Sequence, residues 1–455
     1  MMLATKALVF INYIDLFSWD VKNYLKLNVI FNKDFPLVLF GTFLKKANIE
    51  KIHIEDNKEY KILGVRSYGY GAFVNRIVKG DTLKMREYQK AKYNHLFWCK
   101  VDTKNGAFGI IKDNIADGIA SSNMTFAEID TSKIDVDYLQ FLFTSKGIMQ
   151  YLDSFVTGTT NRKYIRPEQL LNEIKIPLPT LETQQKLVRA YNQKMNLARK
   201  LEAEAENLEQ NIDSYLFKKL GIEINKLINE EKILHFIKYQ NLNEWGVEFN
   251  LGTQNSTNIL KSNIYQNNSL KSILDINPTT NLNIENIKEV SFLPMECISD
   301  IYGEIKNQYN GEPIRAKGYT KFKEGDLLWA KITPCMENGK SAIAKNLING
   351  YGYGSTEFHV LRKKDENINI EYIYHLLRTK LLRLEAKSSF TGSAGQQRVG
   401  KVFLENLIIP LPSLSIQNQI VEYLTKQKDK IKQLKNQAQE NRQQAKEEFE
   451  TAIFF

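Results

Sequence analysis

Apolar residues recur at steps of three, four or seven positions along two long stretches of the chain. The first stretch carries this seam at Leu187, Tyr191, Ala198, Leu201, Ala205, Leu208 and Ile212. The second stretch carries it at Ile420, Leu424, Ile431, Leu434, Ala438 and Ala445, each 233 residues later than its counterpart (for example 420 − 187). This heptad spacing is typical of coiled-coil helices. It predicts two helices of about 38 residues each, the first of which ends at Gly221.

The chain also repeats a short phrase immediately before each seam. The phrase is "IPLPTLETQQKLV" from Ile176 and "IPLPSLSIQNQIV" from Ile409, again 233 residues apart (409 − 176). The four tryptophans form two pairs with similar surroundings, Trp19 with Trp245 and Trp98 with Trp329. The Thr-Gly dipeptides that end at Gly158 and Gly392 form another matched pair. Matches that keep the same order along the chain predict a tandem duplication.

Each half combines short β-like runs with helical segments, so the predicted fold class is α+β. The runs include "EYKILGVRSYG", "FWCKVDTKNGAFGII", "DLLWAKITP" and "SAIAKNLI", separated by Gly, Asn and Asp. Each half also contains one predicted helix, "VDYLQFLFTSKGIMQYL" in the first and "IEYIYHLLRTKLLRLEA" in the second. The prolines of "IPLP" close each domain, because proline lacks an N–H and fixes φ.

These patterns predict two similar domains and two long helices. The predicted domains cover residues 1–180 and 222–412, and the predicted long helices cover residues 181–221 and 413–455. One interpretation is that each helix packs on its own domain. The favoured interpretation is that the helices pack on each other as an antiparallel two-helix coiled coil, because the second domain must carry the chain back before the second helix begins. The duplicated unit then has a pseudo-twofold axis.

Composition narrows the class of protein. The 455 residues have a net charge of +10 at pH 7, and this basic excess favours a polyanionic partner such as nucleic acid. The longest apolar run, "FPLVLFGTFL", has about half the length that spans a bilayer. We expect no signal peptide, because Lys6 and Asp15 interrupt the apolar N-terminus, and no membrane partner. Three cysteines without a metal or redox spacing fit a cytoplasmic protein.

Two similar but non-identical domains on a spacer suit an asymmetric, bipartite target on double-stranded DNA. Base recognition requires hydrogen-bonding side chains, and phosphates require Lys and Arg. The candidates in the first domain are Arg66, Tyr68, Tyr70, Lys84, Arg86, Lys90, Arg162 and Lys163. The candidates in the second domain are Arg315, Lys317, Lys321, Lys331, Gln396, Gln397 and Arg398. For each of them a solvated surface side chain is the alternative, and the Thr-Gly loops have the alternative of structural turns.

The sequence carries no signature of a catalytic site. It has no Gly-rich phosphate loop, no Asn- or Asp-Pro-Pro-aromatic methyltransferase motif, and five histidines without metal-ligand spacing. We therefore predict no catalytic residues and no metal site. Two other functions stay open on the residues alone. They are a nuclease whose Asp, Glu and Lys side chains assemble only in space, and a coiled-coil scaffold with two protein-binding domains.

The phrases "TPCMENGK" from Thr333 and "GYGSTEFHVLR" from Gly352, with the two "IPLP" phrases, resemble the specificity subunits of type I restriction–modification enzymes. The resemblance covers essentially the whole chain, including the duplication. It implies two target recognition domains, each specific for one half-site, and a coiled coil that sets the gap between the half-sites. It also implies a non-catalytic chain that binds no cofactor.

The same resemblance implies the partners. Two adenine-N6 methyltransferase subunits that use S-adenosylmethionine would dock on the chain. In the full enzyme, two restriction subunits that use ATP and Mg would join them. Whether the catalytic partner is a methyltransferase alone or the three-subunit enzyme stays open.

Overall fold

Two compact units make up the described part of the chain. The computed structural model describes residues 31–99, 106–155, 165–223, 258–282, 287–391 and 396–455. The first unit contains the described residues up to 200 together with 437–455, and the second contains those between 201 and 436. Several of the matched repeats lie outside the described residues: the phrases around Trp19 and Trp245, the Thr-Gly dipeptide at Gly158, and Gly392. No helix in the described ranges is long and apolar enough to cross a bilayer.

The first unit contains three sheets. Its strands are β1 (Leu37–Leu39), β2 (Leu44–Lys46), β3 (Lys51–His53), β4 (Glu59–Arg66), β5 (Gly71–Lys79), β6 (Glu87–Lys90), β7 (His95–Cys99), β8 (Phe108–Ile110), β9 (Ile119–Ala120), β10 (Met124–Ile129) and β11 (Lys175–Pro177). The sheet orders are β1-β11, β2-β10-β7-β8 and β3-β6-β9-β4-β5. The predicted runs "EYKILGVRSYG" and "FWCKVDTKNGAFGII" thus contain strands β4, β7 and β8.

The second unit contains four sheets. Its strands are β12 (Asn267–Ser269), β13 (Leu274–Ile276), β14 (Val290–Leu293), β15 (Tyr309–Gly311), β16 (Thr320–Lys323), β17 (Leu327–Ala330), β18 (Ser341–Ile343), β19 (Tyr351–Gly354), β20 (Phe358–Lys363), β21 (Phe390–Thr391), β22 (Arg398–Val399) and β23 (Ile408–Pro410). The sheet orders are β12-β23, β13-β20-β17-β18, β15-β14-β19-β16 and β21-β22.

Most of the helices follow the main run of strands in each unit. They are α1 (Val136–Leu142), α2 (Lys146–Asp153), α3 (Pro167–Glu173), α4 (Leu181–Leu220), α5 (Leu270–Ile273), α6 (Ile370–Arg378), α7 (Lys380–Ser388), α8 (Lys401–Asn406) and α9 (Leu414–Phe454). Together with the sheets they make the fold α+β.

The two units have equivalent central sheets. The order β2-β10-β7-β8 in the first corresponds to β13-β20-β17-β18 in the second, and every pair in both sheets is antiparallel. Trp98 on β7 and Trp329 on β17 are buried at equivalent positions, with 1% and 2% of their surface exposed. In each unit the sheet is followed by three short helices, a strand that ends in proline, and a long helix.

The prediction of one helix after each central sheet is wrong. The segment from Val136 divides into α1 and α2, and the segment from Ile370 divides into α6 and α7. In both cases a hydroxyl residue starts the second helix: Ser145 Oγ accepts from the Ile148 N–H at 3.4 Å, and Thr379 Oγ1 accepts from the Leu382 N–H at 3.4 Å. Such N-caps favour a new helix start, and the apolar periodicity alone does not reveal the break.

The repeated "IPLP" phrase lies in a buried network of side-chain hydrogen bonds. In the first unit, Tyr138 Oη donates to the Pro177 carbonyl at 2.9 Å. Gln184 Nε2 donates to the Pro179 carbonyl at 2.8 Å, and Gln184 Oε1 accepts from the Asp135 N–H at 2.7 Å. Because Asp135 is the N-cap of α1, this glutamine ties the start of the long helix α4 to the start of α1.

The second unit repeats this network. Tyr372 Oη donates to the Pro410 carbonyl at 2.7 Å, and Gln417 Nε2 donates to the Pro412 carbonyl at 2.9 Å. Gln417 Oε1 accepts from the N–H of Asn369, the N-cap of α6, at 2.9 Å. Burial raises the pKa of both tyrosines, so each stays a neutral hydrogen-bond donor.

The long helices contain 40 and 41 residues, close to the predicted length. Helix α4 ends at Leu220, and Gly221 follows with a φ of 65°, as the sequence predicted. The boundary between the two compact units crosses both helices, because α4 passes residue 200 and α9 passes residue 436. Each unit therefore contains a section of α4 and a section of α9.

The two helices contact each other within each unit. In the first, Tyr191 packs edge-on against Phe449, and Lys194 pairs with Glu448 at 3.1 Å. Near the start of the second unit's section of α4, Glu204 pairs with Lys430 at 2.8 Å. Near its end, Tyr215 stacks on Tyr423, with ring centroids 3.9 Å apart. Because residue numbers fall along α9 as they rise along α4, this pairing is antiparallel.

Every residue of the predicted seam is buried or half-buried. Leu187, Tyr191 and Ala445 lie in the core of the first unit, and Ile212, Ile420 and Leu424 lie in that of the second. Leu201, Ala205, Leu208, Ile431 and Leu434 form a smaller cluster in the second unit. Ala198 and Ala438 have no exposed surface. The helices thus pack both on the sheet-bearing part of each unit and on each other.

We expect replacement of Gln417 by alanine to lower the free energy of unfolding by about 2 kcal/mol, because three backbone groups lose their partner. Urea denaturation measures this loss, and hydrogen exchange should localise it to the start of α6. The matched control is Gln419→Ala on the exposed side of α9, which should change stability by less than about 0.5 kcal/mol. Equal effects of the two substitutions would contradict the role given to Gln417.

A second prediction concerns the helix contact in the second unit. Ala205 is fully buried beside Ile431 and Leu434, whereas Ala203 is exposed on the same helix. Ala205→Leu should destabilise the chain by about 1–3 kcal/mol through overpacking, and Ala203→Leu should be nearly neutral. Thermal unfolding of the two variants provides the comparison. A neutral Ala205→Leu variant would mean that the helices do not pack closely there.

Candidate nucleic-acid interface

Two strongly exposed tyrosines of the first unit lie on the turn between β4 and β5. Tyr68 is 58% exposed and Tyr70 is 63% exposed. Tyr68 has a φ of 61°, and the following Gly69 has a φ of 70°. The Gly69 N–H donates to the Gly106 carbonyl at 2.8 Å, so the turn is fixed to the unit. Arg66 lies at the end of β4 with its guanidinium 4.6 Å from the centre of the Phe73 ring. The turn therefore presents two tyrosines and one cation to solvent.

The other candidates of the first unit differ in whether an ion pair partly neutralises them. Lys84 is exposed in the segment before β6. Arg86 forms an ion pair with Asp56, and Lys90 forms one with Glu50 at 3.4 Å. These partners reduce the net charge that the two cations can offer to a phosphate. Arg162 and Lys163 lie outside the described residues.

In the second unit, one face of the sheet β15-β14-β19-β16 carries a row of aromatic residues. Tyr309, Phe292, Tyr353 and Lys321 are successive cross-strand partners and therefore share this face. The Phe292 ring lies 6.4 Å from that of Tyr309, 5.1 Å from that of Tyr353 and 5.5 Å from that of Tyr319. Tyr309 and Tyr319 are 46% and 44% exposed. The sheet thus offers aromatic surface with a lysine beside it.

Sequence reasoning missed the aromatic members of this surface. Tyr309, Tyr319 and the 82% exposed Ile314 were not among the candidates. Only the neighbouring cations Arg315, Lys317 and Lys321 were predicted. Arg315 and Lys317 are exposed, and the Arg315 guanidinium lies 3.3 Å from the Glu312 carboxylate. The alternation in "YTKFK" places Lys321 and Lys323 on one face, which is the signal that could have identified it.

The remaining candidates of the second unit meet at one edge of its central sheet. Lys331 directly follows β17, and its N–H donates to the Glu357 carbonyl at 2.9 Å. The Thr333 N–H donates to the Gln397 carbonyl at 3.0 Å, and the Val399 N–H donates to the Lys331 carbonyl at 2.9 Å. Lys331, Gln396, Gln397 and Arg398 are therefore brought together, beside the segment "TPCMENGK". Gln396 is exposed, while Lys331 and Gln397 are half-buried.

Arg398 makes a two-point ion pair that the sequence did not reveal. Its Nε and Nη2 donate to the two carboxylate oxygens of Glu357, at 2.9 and 2.8 Å. The hydrogen bond from Arg398 lowers the pKa of Glu357 and raises that of Arg398, so both groups stay charged. Glu357 lies 41 residues before Arg398, and no local spacing connects them.

Within the described ranges, no group of three or more His, Cys, Asp or Glu side chains is arranged to hold a metal ion. The buried His359 beside this edge contacts the protein backbone. His359 Nε2 lies 2.9 Å from the Val399 carbonyl, and burial lowers the pKa of His359. The chemistry of this surface is therefore that of hydrogen bonding, aromatic contact and charge.

Known proteins resemble part of the chain in sequence. Residues 253–441 match the family described as the type I restriction modification DNA specificity domain. The specificity subunit of the type I restriction enzyme EcoAI from Escherichia coli is 39% identical over 171 residues, which are 37% of this chain and 29% of that protein. The EcoEI specificity subunit, also from Escherichia coli, is 41% identical over 163 residues, which are 35% of this chain and 27% of that protein. The matches thus span less than a third of these relatives.

The fold is similar over a longer part of the chain. One solved structure concerns the structural basis of complex assembly and conformational transition of the type I R-M system. The alignment with a chain of that structure includes 93% of this chain and 97% of the other. The TM-score is 0.55 at 14% sequence identity, so this similarity concerns the fold. The chain thus resembles a type I R-M protein in fold, and its residues 253–441 match the type I DNA specificity domain.

Proposed function

We propose that the chain is the DNA-recognition subunit of a type I restriction–modification complex and has no catalytic activity of its own. In this proposal each unit recognises one half of an asymmetric, bipartite target on double-stranded DNA. The single observation that carries it is the equivalent architecture of the two units. The family match begins at residue 253, yet the first unit has the same central sheet and the same buried tyrosine and glutamine network.

The exposed residues support different half-targets for the two units. The first unit presents Tyr68 and Tyr70 on a hairpin turn, whereas the second presents Tyr309 and Tyr319 at a sheet face. An equivalent frame with unlike surface residues is what an asymmetric target requires, because base contacts depend on individual side chains. The predicted DNA-contacting residues of both units keep this role in the proposal.

The two long helices take the role of spacer in the proposal. They form an antiparallel coiled coil that arises from the tandem duplication, and their length sets the unread gap between the half-targets. Their polar faces, together with the units, dock two adenine-N6 methyltransferase subunits and, in the full enzyme, two restriction subunits. S-adenosylmethionine, ATP and Mg belong to those partners. A complex that acts on cellular DNA would work in the cytoplasm.

The first test is the salt dependence of DNA binding by the 455-residue chain. Each phosphate neutralised by Lys or Arg adds about 0.9 to the slope of log affinity against log salt. Three such contacts would weaken binding by roughly 40-fold between about 50 and 200 mM salt. Gel-shift titrations with random duplexes measure the slope. A slope near zero would favour a protein-binding scaffold.

The second test separates the half-targets. Replacing Tyr68 and Tyr70 by alanine should alter base preference in one half-target and leave the other unchanged. Tyr93→Ala is the matched control, because Tyr93 is 57% exposed in the same unit but lies in the turn before β7. Selection of bound sequences from a randomised duplex pool provides the readout. Equal loss in both half-targets would mean that the two units do not act separately.

A further inference from the structure

The ion pair between Arg398 and Glu357 fixes a guanidinium at a partly exposed position. The Arg398 side chain is 40% exposed, and the Glu357 side chain is 21% exposed. Besides its two contacts with Glu357, the arginine donates from Nη1 to the Gln396 carbonyl at 2.8 Å. The guanidinium is thus held on two sides by the unit itself.

The backbone around both residues is fixed independently of this ion pair. The N–H groups of Thr333 and Val399 bond the strand of Arg398 to the segment after β17. Glu357 is held by the Lys331 N–H on its carbonyl and by Ser355 Oγ, which accepts from the Glu357 N–H at 3.2 Å. A partly exposed ion pair contributes little to stability. Stabilisation of the fold therefore does not explain why this ion pair is present.

The hydrogen bonds to Glu357 and Gln396 leave two N–H donors of the Arg398 guanidinium for a further partner. A guanidinium has five N–H donors, and three of them are used by Glu357 and the Gln396 carbonyl. Among the described residues, the remaining two donors have no acceptor, and one of them is on each Nη atom. Two such donors match the O6 and N7 acceptors of guanine in the major groove, which is the commonest specific contact of arginine with DNA.

We propose that Arg398 recognises a guanine in the half-target of the second unit, and that Glu357 is the positioning residue that orients its guanidinium. This inference rests on the proposed function in DNA recognition. The carboxylate has a second effect, because it cancels the charge of the arginine. The pair therefore adds little to sequence-independent attraction for phosphate, unlike Lys317 or Lys321, for which no ion pair is present among the described residues.

The test uses three variants of the 455-residue chain and a selection for bound sequences. Arg398→Lys keeps the charge and removes the two-point contact. Glu357→Gln keeps the size and removes the carboxylate charge. The matched control is Glu405→Gln, because Glu405 forms a comparable pair with Lys401 on α8, where the side chains are 49% exposed for Lys401 and 30% for Glu405.

We expect Arg398→Lys to lower the preference for guanine at one position by about 5- to 150-fold, which corresponds to 1–3 kcal/mol. Glu357→Gln should lower the preference at the same position by at least about fivefold. For both variants the preferences at the other positions should stay as in the unmodified chain. Arg398→Lys should keep the salt slope, whereas Glu357→Gln should steepen it, because the charge of Arg398 is no longer cancelled. Glu405→Gln should leave every base preference unchanged.

Three outcomes distinguish this inference from the function on which it rests. If Arg398→Lys and Glu357→Gln leave every base preference intact while DNA binding persists, the inference is overturned and the proposed function stands. If Arg398→Lys weakens binding to all sequences alike, Arg398 contacts phosphate and the inference is also overturned. If the unmodified chain shows neither salt-dependent binding nor base preference, the proposed function itself fails. Urea denaturation checks that the variants fold. If Glu357→Gln does not fold, Arg398→Lys alone provides the test.

Discussion

Buried hydrogen bonds to the carbonyl groups of prolines fix the start of each long helix. Proline supplies a carbonyl but no N–H, so "IPLP" cannot continue the ladder of a central strand. Tyr138 and Gln184 donate to two of these carbonyls in the first unit, as Tyr372 and Gln417 do in the second. An unsatisfied buried carbonyl costs about 1–3 kcal/mol, so this geometry constrains both the glutamine and the helix start. The direction of each helix depends on it.

Much of this architecture could be predicted from the sequence, because it depends on periodic patterns and on proline. The heptad positions identified the buried side of both long helices, and Gly221 identified the end of the first. The break between α1 and α2 could not be predicted in the same way. Its cause is a single cap at Ser145, and the apolar periodicity continues across it. Local hydrogen bonds of this kind decide element boundaries without changing the hydrophobic pattern.

The candidate interface was predicted less completely, because its groups meet through tertiary contacts. Charge alone identified Lys321 and Arg398 but not the aromatic residues beside Lys321 or the partner of Arg398. Tyr309, Phe292 and Tyr353 become neighbours only through strand pairing in the sheet β15-β14-β19-β16. Glu357 reaches Arg398 only because β20 begins at the same edge of the central sheet where the chain leaves β17.

These contacts divide the second unit into two kinds of surface with different physical consequences. The sheet face near Lys321 combines charge with aromatic area, and both attract nucleic acid whatever its sequence. The edge at Arg398 carries a neutralised cation whose remaining donors have a fixed direction. Attraction to phosphate depends on net charge, whereas discrimination between bases depends on donor geometry. The carboxylate of Glu357 cancels the net charge and preserves the donor geometry. The arginine at this edge is therefore suited to discriminating between bases rather than to binding phosphate.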